Sequence, residues 1–97
     1  MTRVITCTIE LYGISAELTG KNEVKLEFPM ETAGMQELVI ALKTRLPELD
    51  GIVIKNDTNL LAADQAFNKD GRFYTFTDEI MVRDGDRIRL LTAAVGG

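Results

Sequence analysis

Lys21-Asn22-Glu23-Val24-Lys25-Leu26-Glu27-Phe28-Pro29, followed after five residues by Met35-Gln36-Glu37-Leu38-Val39-Ile40-Ala41-Leu42-Lys43-Thr44-Arg45-Leu46-Pro47, is where the hydrophobic period changes. Before Pro29, Val24, Leu26 and Phe28 alternate with charged Lys25 and Glu27, the period-two pattern of a half-buried strand. After it, Met35, Leu38, Val39, Leu42 and Leu46 recur at the spacing of one helix face. Thr32 is the expected N-cap and Pro47 the stop, which gives a helix of about 15 residues. Glu31 and Glu37 early, then Lys43 and Arg45 late, complement the helix dipole.

Upstream, Arg3 to Tyr12 alternates as well, with Ile5, Cys7, Ile9 and Leu11 on one face and Thr6, Thr8 and Glu10 on the other. Gly13 and Thr19-Gly20-Lys21-Asn22 read as the turn that joins the two strands into a hairpin. Downstream, Asp50-Gly51 turns the chain, Ile52 to Ile54 is a short apolar run, and Lys55 to Asn59 is a polar loop. Leu60 to Phe67 contains good helix formers, but its exit, Asn68-Lys69-Asp70-Gly71, is a hairpin signal that favours a strand paired with Arg72 to Phe76. Asp84-Gly85-Asp86 is a tight turn, and Arg87 to Leu91 is the last strand, with Ile88 and Leu90 inward and Arg87 and Arg89 outward. A hairpin, a helix across its apolar face, and further strands make an α+β domain of β-grasp type, with a mixed sheet and one main amphipathic helix over residues 1–91. Residues 92–97 are expected to form a flexible tail.

Composition narrows the function. Ninety-seven residues, 45% hydrophobic and 27% charged, suit one globular domain. A net charge of −4 and the lack of a basic block remove the usual electrostatic term for nucleic-acid binding. No apolar run has the length of a membrane span, and the opening residues lack a signal-peptide core. One cysteine and no histidine exclude an internal disulfide, leave no histidine general base, give no metal site, and fit a reducing cytoplasm. Cys7, on the apolar face, is expected to be a core residue. Asp78, Glu79, Asp84 and Asp86 lack calcium-loop spacing and read as solvated turns. Of Phe73, Tyr74 and Phe76, alternation leaves one side exposed as a candidate partner patch.

The most informative chemical feature is the end, Ala94-Val95-Gly96-Gly97. At average glycine usage, two terminal glycines occur in roughly one chain in 200. A tail without side chains enters a narrow site and presents a carboxylate there. The alternative is an inert terminus that happens to be glycine-rich.

Asp84-Gly85-Asp86-Arg87-Ile88-Arg89-Leu90-Leu91 followed by Val95-Gly96-Gly97 resembles the ending of the MoaD/ThiS sulfur-carrier proteins, which are ubiquitin-like β-grasp domains. Leu11-Tyr12-Gly13, Leu46-Pro47-Glu48-Leu49 and the Asn68–Gly71 turn are similar to the corresponding segments of molybdopterin synthase small subunits. Two features depart from that pattern: the link Thr92-Ala93-Ala94 lacks the usual proline, and the chain is longer around Lys55–Leu61 and the Asn68 turn.

The resemblance implies that the Gly97 carboxylate is adenylated by an E1-like partner using ATP, with no cofactor bound by the chain itself. Conversion to a thiocarboxylate would follow, with sulfur passed to a larger synthase subunit in molybdopterin biosynthesis. Gly96, Val95, Ala94, Leu91 and Arg89 would contact partners. Thiamin-thiazole sulfur transfer, isopeptide-forming protein modification and a plain interaction domain are the competing outcomes. From Thr92, six extended residues reach roughly 20 Å.

Overall fold

The structure is a computed structural model that describes residues 4–93. Strand β1 (Ile5–Leu11) is followed by a short helix α1 (Ile14–Thr19), β2 (Glu23–Phe28), the main helix α2 (Met35–Arg45) and a single 3₁₀ turn (Pro47–Leu49). Strands β3 (Gln65–Lys69), β4 (Arg72–Tyr74) and β5 (Arg87–Thr92) complete a sheet of order β2-β1-β5-β3-β4. β1 runs antiparallel to β2 and parallel to β5, and β3 is antiparallel to both β5 and β4. The sheet is mixed, as the sequence predicts, and the last strand lies at its centre.

Alternation sets the core. Ile5, Cys7, Ile9 and Leu11, then Val24, Leu26 and Phe28, then Ile88 and Leu90 face inward, where Leu38, Val39, Leu42 and Leu46 of α2 are also buried. Burial of each large aliphatic side chain stabilises the fold by about 1.5–3 kcal/mol. Leu49, Val53, Ile54, Leu61, Ile80 and Val82 extend this core beneath the long connections. Cys7 is 1% exposed, and burial first, then the Asp86 charge, pushes its thiol up to about 11.

Several local expectations are corrected. The hairpin connection contains α1, a turn and a half of helix entered through Gly13 at φ 60° and closed by left-handed Gly20. The N-cap of α2 is Gly34, not Thr32, and the helix has 11 residues. Ala33 exchanges backbone hydrogen bonds with Val82 at 3.1 and 2.8 Å, which holds the chain extended up to the cap. Glu37 then accepts the Gly34 N–H at 2.9 Å. The segment from Leu60 is not strand until Gln65, because the Ala62 N–H donates to Val53 O at 2.8 Å and folds the chain back on itself.

The turns hold the ladders in register. Asp70 (φ 54°) and Gly71 (φ 84°) are both left-handed, as a two-residue hairpin between β3 and β4 requires. β4 ends at Tyr74 rather than Phe76, since Asp78 accepts the Thr75 N–H at 2.8 Å and its hydroxyl at 3.1 Å. Asp84 accepts the Thr6 N–H at 2.8 Å, and Gly85 N and Asp86 O bond Thr6 O and Thr8 N at 2.8 and 2.9 Å. The Asp-Gly-Asp turn thus locks the start of β5 against β1. β5 itself extends to Thr92, which pairs with Gln65.

Candidate functional site

β5 delivers the chain from the sheet centre to its end. The last described residue, Ala93, donates its N–H to Asp64 O at 2.8 Å, and Gln65 Nε2 donates to the Thr92 hydroxyl at 3.1 Å. Gln65 is 2% exposed, and its Oε1 has no partner among the described residues. Ala94, Val95, Gly96 and Gly97, the four terminal residues singled out from the sequence, lie outside the described residues.

An apolar cavity of about 380 Å³ lies beside this exit. Ile52, Leu60, Leu61, Ala62, Ala63 and Phe76 line it, and Ala63 immediately precedes the Asp64 carbonyl that holds Ala93. Ile52, Leu60 and Phe76 are each about half exposed or nearly so, at 51, 41 and 40%. The sequence does not reveal this grouping because its members come from two separate connections, the one before β3 and the one after β4, and only Phe76 is aromatic.

The sheet face opposite α2 carries the other predicted contacts. Arg89 and Leu91 project there, on the opposite side of β5 from Ile88 and Leu90. Glu10 is the electrostatic centre of that face: it accepts from Tyr12 Oη at 2.9 Å, from Arg87 Nε at 2.9 Å, and lies 3.5 Å from Arg89 Nε. The Tyr12 hydrogen bond, then Arg87, holds the Glu10 carboxyl below its ordinary range, and the same bond raises the Tyr12 phenol. Tyr12 N–H donates to Leu90 O at 3.1 Å, which carries the β1–β5 pairing one residue past Leu11. On this face Tyr12 is 46% exposed and Leu91 half-buried, beside the Glu10–Arg89 pair in the chain.

Other candidates carry less. Phe73 is 54% exposed, whereas Tyr74 packs against the core and takes Arg72 over its ring at 5.0 Å. The acidic residues Asp78, Asp84 and Asp86 are spent on the turns described above. Among the described residues, no group of three or more Asp, Glu, Cys or His side chains could hold a metal ion, and no helix is long and apolar enough to cross a membrane.

This topology, with a β-hairpin, a helix across the sheet and a central last strand parallel to the first, is the ubiquitin-like β-grasp fold. Among solved structures the chain is similar to SAMP1 from Haloferax volcanii, with a TM-score of 0.75 at 21% identity over 95% of this chain and 99% of that one. It is similar also to small archaeal modifier protein 1 from Methanosarcina acetivorans, with a TM-score of 0.71 at 20% identity over 98 and 99% of the two chains. A Pyrococcus furiosus protein provisionally assigned as molybdopterin converting factor, subunit 1, gives 0.67 at 18% identity over 93 and 99%. No family model and no curated protein matches the chain.

Proposed function

We propose that this protein is a ubiquitin-like sulfur carrier whose reactive group is the Gly97 carboxylate. A carboxylate is a poor electrophile, so an E1-like partner must first transfer AMP to it from ATP, releasing pyrophosphate. A persulfide on another protein then displaces AMP to form an acyl disulfide, and attack of a thiol on its protein-side sulfur breaks the S–S bond, leaving a C-terminal thiocarboxylate and a new disulfide. That thiocarboxylate donates sulfur to an acceptor in a larger synthase subunit, in the pathway that builds molybdopterin.

The observation that supports this reading is the position of β5. Asp64 and Gln65 anchor the central strand up to Ala93, four residues before Gly97. Because Thr92 and Ala93 are tied to the body, the extended reach beyond it is at most about 13 Å rather than the 20 Å expected for six residues. A partner must therefore bring its adenylation site close to the domain, where exposed Arg89 and half-buried Leu91 of β5 and the Ile52–Leu60–Phe76 cavity are available to it. Gly96 and Gly97 leave the narrowest cross-section for the partner's channel.

Protein modification is the second reading, favoured because the two highest TM-scores above belong to proteins named as modifiers. It uses the same adenylate, with a lysine amine in place of sulfur. ATP–pyrophosphate exchange with an E1-like enzyme tests the shared first step. Exchange should occur with the full chain, fall steeply for Gly97→Ala and vanish when Gly97 is deleted. Exchange unchanged by the deletion would overturn both readings.

A further inference from the structure

We propose that the outer edge of β2 is a self-association site, where two copies of this chain pair antiparallel about Val24 and join their sheets into one. Among the described residues β2 ends the sheet, with β1 as its only neighbour. One groove of about 460 Å³ is lined by Thr6, Lys25 and Glu27 together with Ala41, Thr44 and Arg45 of α2, so no element covers the edge between them.

The direction of the unused hydrogen bonds follows from the ladder. Leu11 N donates to Asn22 O at 2.8 Å, which makes Leu11–Asn22 a hydrogen-bonded pair. Such pairs alternate along antiparallel strands, so Ile9–Val24, Cys7–Leu26 and Ile5–Phe28 are bonded pairs too. The backbone groups of Glu23, Lys25 and Glu27 therefore point away from β1, toward the open edge. The same residues and Lys21 have exposed side chains, giving the sequence Lys21, Glu23, Lys25, Glu27 with charge reversing at every second position.

That alternation selects one register. Pairing about Val24 sets Glu23 opposite Lys25 of the second copy and Lys21 opposite its Glu27, each twice by symmetry. All four positions then meet an opposite charge, and all carry outward backbone groups that complete the ladder. Pairing about Lys25 sets Lys25 against itself and Glu23 against Glu27, and pairing about Glu23 sets Lys21 against Lys25. Pairing about Leu26 places Pro29 in the ladder without an N–H, and pairing about Asn22 runs into α1. Edge charges commonly oppose association. Here they oppose the registers about Glu23 and Lys25, while Pro29 and α1 exclude those about Leu26 and Asn22. The charges are also available: among the described residues Lys21, Lys25 and Glu27 form no ion pair, and Glu23 shares Arg87 only at 3.5 Å. Because β5 is parallel to β1, the two copies of β5 in the pair run in opposite directions.

Sedimentation equilibrium of the full chain tests this. The interface is small and polar, so a dimer with Kd near about 0.1–1 mM is expected at low salt, weakening as ionic strength screens the pairs. Glu23→Lys and Lys25→Glu each set like charges opposite one another and should reduce self-association by about tenfold or more. Mixing these two variants restores opposite charge at every contact, and the mixture should associate again as a heterodimer. Lys25→Pro, which removes an outward N–H while leaving the β1 ladder intact, should be monomeric with an unchanged circular dichroism spectrum. A chain monomeric at about 1 mM in low salt, a dimer indifferent to Lys25→Glu, or a mixture that stays monomeric would overturn the proposal.

Discussion

Leu90→Ala should be among the most damaging single truncations of this domain. Leu90 is fully buried on β5, paired with Phe67 of β3 and Leu11 of β1, so it spans both central ladders. Removing three carbons forfeits about 2.4 kcal/mol of transfer free energy, and the cavity left between two ladders that cannot close adds to it, for a total of about 3–4 kcal/mol. A domain of this size has about 5–15 kcal/mol in all. The adjacent Leu91 is only half-buried on the opposite face, and Leu91→Ala should cost less than about 1 kcal/mol. Urea melts followed by far-ultraviolet circular dichroism would show the Leu90→Ala midpoint lowered by at least about 1 M and the Leu91→Ala midpoint nearly unmoved. Equal losses at the two positions would refute the strand alternation on which both the core and the partner face rest.

The hairpin turn gives a smaller effect: Gly71→Ala, with φ 84° and no atom crowding a new Cβ, should cost about 1–2 kcal/mol from backbone strain alone in the same melts. Native Cys7 should resist alkylation at pH 8 and react fully after unfolding; its raised pKa contributes stability that is complete below about 9 and lost as pH rises toward about 11. Glu10 should titrate below the ordinary glutamate range by NMR, so its contribution is present at neutral pH and lost as acid brings the solution through its folded pKa. Tyr12→Phe, which removes the largest cause, and Arg87→Ala should each move that titration upward.

The parts of the fold legible in the sequence are those where one residue's neighbours decide its face. Ile5 through Leu11, Val24 through Phe28 and Ile88–Leu90 alternate because each strand has one wet side, and the Met35–Leu46 stripe marks its helix for the same reason. The misread boundaries were set by distant residues. Thr32 cannot cap α2 because Val82 holds Ala33 extended, and Leu60–Asp64 is pulled out of the strand by Val53. Helix α1 has no side-chain cap to announce it. At the candidate site, the outward placement of Arg89 and Leu91 follows from strand period, whereas the cavity beside Ala93 needs Ile52, Leu60 and Phe76 brought together by the fold. Gln65, buried beside Thr92, shows in the sequence only as a good helix former.

Intact mass spectrometry addresses the proposed reactivity of the Gly97 carboxylate directly. The full chain would be incubated with an E1-like adenylating enzyme, ATP and a sulfur donor, then digested to locate any change. The account predicts a mass gain equal to sulfur replacing oxygen, confined to the C-terminal peptide and dependent on ATP. An unmodified C-terminal peptide, from an incubation in which a known carrier is converted, would contradict it.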